Sequence, residues 1–90
     1  MAAPYEFNYQ QAVIALVIAL RTRVQHEFHS FVRADWMIRE GDAAKLLGRK
    51  PGTLARRELL GKLRLPCHRD GDKHRWFSLF DIARHMLGPS

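Results

Sequence analysis

The sequence predicts a small, mostly α-helical protein that has one β-hairpin near its C-terminal end. Three observations predict this class. A long apolar stripe with helical spacing occupies the first third of the chain, short helical segments bounded by glycine or proline follow it, and the turn sequence DGDK separates two β-compatible runs. The 90 residues, 47% of them hydrophobic, suffice for one small domain with a thin core.

Residues 9–33 are predicted to form one long helix, because no glycine or proline interrupts them. At 100° per residue its main apolar stripe contains Val13, Leu16, Val17, Leu20, Val24, Phe28 and Phe31. Ile14 and Ile18 lie on a flank of this stripe, so the first half of the helix is apolar on more than one side. Either the domain encloses this half or a second copy covers it. We expect a homodimer whose contacts include Val13, Ile14, Val17 and Ile18.

The apolar run at residues 12–20 is about half the length that a bilayer-spanning helix needs, and no basic region precedes it. We therefore expect no membrane partner. The single cysteine, Cys67, excludes a disulfide framework and suits a cytoplasmic location.

The middle of the chain is predicted to hold two short helices. Residues 33–41 form a connection with Trp36 and Ile38 turned inward. The segment DAAKLLG, residues 42–48, forms the first short helix, with Asp42 in its first turn and Gly48 at its end. A further helix runs from Pro51 to about residue 60, where Gly61 ends it.

Residues 63–69 and 74–77 are the two predicted strands of the hairpin. Ser78 and Asp81 have the spacing of a capping box, which predicts a last helix over residues 79–87. Its apolar residues are expected to pack on the core: Phe80, Ile82, Met86 and Leu87.

The net charge of +6 is unevenly distributed. Lysines and arginines balance the acids in residues 1–32. Between Lys45 and Arg75, by contrast, there are ten lysines and arginines and only three acids. A cationic half of this kind favours a polyanionic partner, with nucleic acid ahead of an anionic membrane, over ordinary surface charge that maintains solubility.

Three motifs resemble the winged helix-turn-helix proteins of the excisionase and MerR-like group. They are DAAKLLG, then GRKPGTLARRELLGKL, then HRWF followed by FDIARHML, and together they cover about 50 residues. The resemblance implies a recognition helix at residues 51–60 in the DNA major groove and a two-stranded wing at residues 64–77 against the minor groove or backbone. The implied fold is a small winged helix-turn-helix domain over residues 35–90, preceded by a dimerisation helix within residues 1–34.

Arginine pairs bidentately with guanine, and a recognition helix reaches the bases with its first turns. The residues predicted to contact DNA are Arg49, Lys50, Gly52, Thr53, Arg56 and Arg57 in and before this helix, and Arg69, Lys73, His74 and Arg75 in the wing. We expect Arg69 and Arg75 to make most of the phosphate contacts, because Asp70 and Asp72 weaken the field at the wing tip.

The chain departs from the family pattern at several positions. Arg39 stands where a helix-capping Ser or Thr is usual, and Arg57 and Glu58 replace an aromatic and an aliphatic core residue. Either the recognition helix is rotated, or Arg57 and Glu58 pair at the core edge while Leu59 and Leu60 meet another protein.

Other function classes have weaker signals. His26 and His29 share a helix face and Cys67 adjoins His68, but the spacing is not that of a metal site, and no catalytic motif is present. We therefore expect no enzymatic activity, no cofactor and no metal. An aromatic platform for single strands, built from Trp36, Trp76 and Phe77, is a weaker hypothesis than a core role for these rings.

The sequence therefore predicts a sequence-specific binder of double-stranded DNA. The resemblance implies that it acts as a transcriptional regulator or as an excisionase-like recombination directionality factor of a mobile element. It is expected in the cytoplasm, on the nucleoid when bound. The alternative is a winged-helix adaptor that binds another protein through its apolar N-terminal helix.

Overall fold

The computed structural model describes residues 8–48, 62, 64–69, 71 and 74–88. Within these residues the chain forms three helices and a three-stranded antiparallel sheet, so the fold is small and mostly helical, as the sequence predicts. In chain order the elements are α1 (Tyr9–His26), β1 (Met37–Arg39), α2 (Glu40–Leu46), β2 (His68–Arg69), β3 (Arg75–Ser78) and α3 (Leu79–Leu87). The helix predicted over residues 51–60 lies outside the described residues.

Helix α1 confirms most of the predicted apolar stripe. Asn8 caps its start, because the Oδ1 atom accepts a hydrogen bond of 2.9 Å from the N–H of Gln10. The stripe is then buried at four positions: Val13, Val17, Leu20 and Val24. Neither α1 nor any other described helix is long and apolar enough to span a bilayer.

The prediction that α1 continues to residue 33 is wrong. The helix ends at His26, and His29 then adopts the left-handed conformation with φ of +52°, a region in which histidine is more frequent than most residues. The turn brings the Ser30 hydroxyl to Asp42, to which it donates a hydrogen bond of 3.0 Å. Phe31, which a continuous helix would bury, is 68% exposed. Tertiary contacts of the segment therefore outweigh its helical pattern.

Residues 37–39, predicted as part of a connection, form strand β1. The strand pairs antiparallel with β3, and the sheet order is β1-β3-β2. Ile38 lies opposite Phe77, and both side chains are buried. A three-residue strand is too short for an alternation of apolar and polar residues to be recognised in the sequence. Its formation depends on pairing with β3.

The predicted hairpin is confirmed as the antiparallel pair β2–β3, with His68 opposite Trp76. Strand β2 is shorter than the predicted run of residues 63–69. Arg64 adopts a left-handed conformation with φ of +53°, and Pro66 has no N–H to donate to a strand ladder. Pairing therefore begins only at His68.

The boundaries of helices α2 and α3 are close to the predicted ones. Helix α2 begins at Glu40, two residues early, and Gly48 follows it with φ of +83°, which favours glycine there. Helix α3 has the predicted bounds, and the Ser78 Oγ accepts a hydrogen bond of 3.1 Å from the Phe80 N–H. The burial predicted for Met86 and Leu87 is wrong, since both are exposed. The buried residues of α3 lie in its first half.

One hydrophobic core joins α1 to the elements that follow it. Its buried residues are Val13, Val17, Leu20, Val24, Val32, Ile38, Ala43, Leu46, Phe77, Leu79, Ile82 and Ala83. The Tyr9 hydroxyl also donates a hydrogen bond of 2.8 Å to the Gly88 carbonyl, which joins the start of α1 to the end of α3. The N-terminal helix thus completes the core of this domain.

Ile82→Ala should lower the free energy of unfolding by about 2–5 kcal/mol, because it opens a cavity at a fully buried site. Ile18→Ala is the matched control: Ile18 is 46% exposed, so the same change should cost less than about 1 kcal/mol. Urea unfolding followed by circular dichroism measures both. Equal losses would contradict the described packing of α3.

Candidate nucleic-acid interface

Basic side chains occupy all three strands of the sheet. They are Arg39 on β1, His68 and Arg69 on β2, and Arg75 on β3. Directly paired residues of an antiparallel sheet share a face. Arg39 and His68 both lie opposite Trp76 in one row, and Arg69 lies opposite Arg75 in the next. Because faces alternate along a strand, the two rows place cations on both faces at this end of the sheet.

Two arginines stack on Trp76. The guanidinium carbon of Arg33 lies 4.6 Å from the ring centroid and that of Arg39 lies 5.6 Å away. Arg33 also donates hydrogen bonds of 3.0 and 2.6 Å to the two carboxylate oxygens of Asp35. The hydrogen bond from Arg33 holds the pKa of Asp35 below its usual value.

Of these two arginines, Arg39 is the more available for contact with an external anion. It is exposed, and among the described contacts its guanidinium meets the Trp76 ring but no carboxylate. It stands at the N-cap of α2, where its side chain makes no capping hydrogen bond. Stacking on the ring orients the charge without neutralising it, so Arg39 can still contact an anion.

Arg75 is held differently from the other sheet cations. Its Nη1 atom lies 3.4 Å from the Glu40 Oε2 atom, and the Glu40 side chain is only 11% exposed. A phosphate at Arg75 would compete with this carboxylate. Arg69, opposite Arg75, and His74 are exposed. Arg69 is therefore the better phosphate contact of the two wing arginines singled out from the sequence.

Three of the ten residues predicted to contact DNA are described: Arg69, His74 and Arg75. The other seven lie outside the described residues: Arg49, Lys50, Gly52, Thr53, Arg56, Arg57 and Lys73. Leu59 and Leu60 lie there too. The sequence-based set omitted three exposed cations beside the predicted interface, Arg39, Lys62 and Arg64. The unusual Arg39 in place of a capping Ser or Thr was the one sequence signal that could have found the first of them.

The structure corrects two of the four residues predicted to form a dimer. Val13 and Val17 are 3% and 1% exposed inside the chain's own core, so they offer no surface to a second copy. Ile14 and Ile18 are 50% and 46% exposed on the neighbouring flank. Dimerisation through this flank stays a prediction.

The aromatic residues considered as a single-strand platform are mostly internal. Trp76 and Phe77 are buried, and Trp36 is half-buried, with its ring edge-to-face to Phe80 at a centroid distance of 6.0 Å. Stacking of bases needs an open ring face. The core role that the sequence favours for Trp76 and Phe77 is confirmed.

The described part of the chain contains no group of three His, Cys, Asp or Glu side chains that could hold a metal ion. Cys67, within this part, is exposed and free.

No protein-family model, curated protein or solved structure matches this chain significantly. Its function is therefore inferred from its own residues.

Proposed function

We propose that this protein binds duplex DNA as a small winged helix-turn-helix protein and acts as a transcriptional regulator or an excisionase-like directionality factor. The observation that carries the proposal is the position of the basic residues relative to the sheet. Strand β1 pairs with β3 and leads directly into α2, and the chain between α2 and β2 contains the predicted recognition segment. The exposed cation Arg39 belongs to β1, which precedes α2, and the exposed cation Arg69 belongs to β2, which follows the predicted recognition segment.

The order of elements supports the proposal. A strand, a short helix, the predicted recognition segment and a hairpin that pairs with the first strand follow one another. In a winged helix-turn-helix protein the hairpin is the wing, and the segment before it enters the major groove. The described elements have the connectivity that this assignment requires.

The charge distribution supports the same partner. Ten lysines and arginines against three acids lie between Lys45 and Arg75, and this range contains the predicted recognition segment and the hairpin. DNA binding would neutralise phosphates with these groups and release counterions. In this proposal Arg56 contacts base edges and Arg69 contacts a phosphate. The protein would act in the cytoplasm, on the nucleoid.

Duplex affinity should fall steeply with salt. If four to six phosphates are neutralised per protomer, the log–log slope against salt concentration should be about −4 to −5. Fluorescence anisotropy with a labelled duplex over a range of sodium chloride concentrations measures the slope. A slope near zero would rule out an electrostatic DNA interface.

Base reading and phosphate contact should be separable by mutation. Arg56→Ala should cost about 1–3 kcal/mol on the preferred sequence and leave random duplexes little affected, because a base contact is lost. Arg69→Ala should weaken both kinds of duplex about equally. Arg23→Ala is the charge-matched control, since Arg23 lies outside the cationic segment in an exposed ion pair with Glu27.

Competition binding with preferred and random duplexes measures all three variants. If Arg56→Ala and Arg69→Ala behave alike on both duplexes, the roles assigned to helix and wing are wrong. If Arg23→Ala weakens binding as much as they do, the effect is one of net charge alone.

A further inference from the structure

An apolar groove lies between α1 and α3. It has a volume of about 370 Å³ and is lined by Tyr9, Gln10, Val13, Ile14, Phe80 and Arg84. Ile18, one helical turn after Ile14, continues the exposed apolar flank of α1. Two half-exposed isoleucines beside an aromatic ring form a surface that gains stability when another apolar surface covers it.

A row of stacked side chains connects an arginine on α3 to an arginine on α1. The Arg84 guanidinium carbon lies 5.9 Å from the Phe80 ring centroid, Phe80 lies 6.0 Å from Trp36, and Arg21 lies 4.8 Å from Trp36. Arg21 also shares the α1 flank with Ile14 and Ile18 at helical spacing. These contacts place the two guanidinium groups at most about three helical turns apart.

In the described structure, few carboxylate contacts offset the positive charges of these two arginines. Arg84 has one contact of 3.4 Å with Asp81 and its side chain remains 54% exposed. Arg21 has no described carboxylate partner, and its Nε is buried without a hydrogen-bond acceptor. The Arg21 Nε is closed to solvent, so an acidic group from outside the chain would pair with the terminal guanidinium nitrogens of Arg21 and Arg84.

We propose that this groove binds an amphipathic α-helix of another protein, with its apolar face on Ile14, Ile18 and Phe80 and two acidic residues beside that face. Apolar anchors spaced at i, i+4 and i+7 fill such grooves. Two carboxylates within about three turns of each other would reach Arg21 and Arg84. This docking function is separate from the proposed binding of DNA and does not depend on it.

The charges favour such a partner over a second copy of this chain. This flank of α1 consists of Gln10, Ile14, Ile18, Arg21 and Gln25, and none of these residues is acidic. Two copies related by a two-fold axis would bury the isoleucines together but would bring the Arg21 groups no carboxylate from this flank. An acidic amphipathic helix would cover the two isoleucines with its apolar face and bring carboxylates to the arginines.

A designed peptide pair tests the proposal on the full chain. The probe is a synthetic amphipathic helix of about 18 residues with leucine anchors and two glutamates within about three turns of each other, and the control peptide has lysine in place of both glutamates. In fluorescence anisotropy the glutamate peptide should bind about tenfold or more tightly than the lysine peptide. The double variant Arg21→Glu with Arg84→Glu should reverse this preference.

Two further variants locate the binding. Ile14→Asp with Ile18→Asp should abolish binding of the glutamate peptide, whereas Arg23→Glu, on the opposite side of α1, should change its affinity less than about threefold. Circular dichroism checks that each variant is folded. The wild-type comparison of the two peptides involves no DNA, so a failure here is distinguishable from a failure of DNA binding.

Three results would overturn the proposal. The first is equal affinity of the wild type for both peptides, and the second is no binding of either peptide. The third is sedimentation of the wild type as a dimer that Ile14→Asp with Ile18→Asp converts to a monomer, since a second copy would then occupy the groove. The wild-type comparison of the two peptides decides the matter even if a variant does not fold.

Discussion

The packing of the valine and leucine stripe of α1 against α3 and the sheet is the contact on which the other elements depend. A chain of 90 residues has little apolar surface to bury, and α1 supplies four of the buried core residues. The Tyr9–Gly88 hydrogen bond fixes the two ends of the domain to each other. Because this stripe is used inside the domain, α1 offers a partner its adjacent flank, with the exposed side chains of Ile14 and Ile18.

Aromatic rings determine where several arginines lie on this protein. Arg33 and Arg39 stack on Trp76, Arg21 stacks on Trp36, and Arg84 stacks on Phe80. Stacking on a ring restricts the flexible arginine side chain and contributes a modest attractive energy. The positive charge remains available for other contacts. The Trp76 cluster adjoins the predicted DNA interface, and the Trp36–Phe80 row borders the α1–α3 groove. Arginine–aromatic stacking therefore occurs beside both surfaces, the predicted DNA interface and the apolar groove.

Patterns that are local in sequence predicted the fold well. The α1 stripe, the hairpin and the Ser78 cap each depend on residues a few positions apart, and each is present. The early end of α1 and strand β1 were not predictable in this way, because they depend on Asp42 and β3, which are distant along the chain. The same holds for the candidate site. Arg39 was missed because its stacking depends on Trp76, 37 positions along the chain.

We propose that the cationic half of this protein recognises duplex DNA by sequence. Selection of bound duplexes from a random pool tests it most directly, at a salt concentration that suppresses non-specific binding. If the protein reads sequence, a short, defined motif should be enriched over successive rounds, compared with a pool carried through without protein. Retention of duplexes with no enriched motif, or no retention at all, would contradict it.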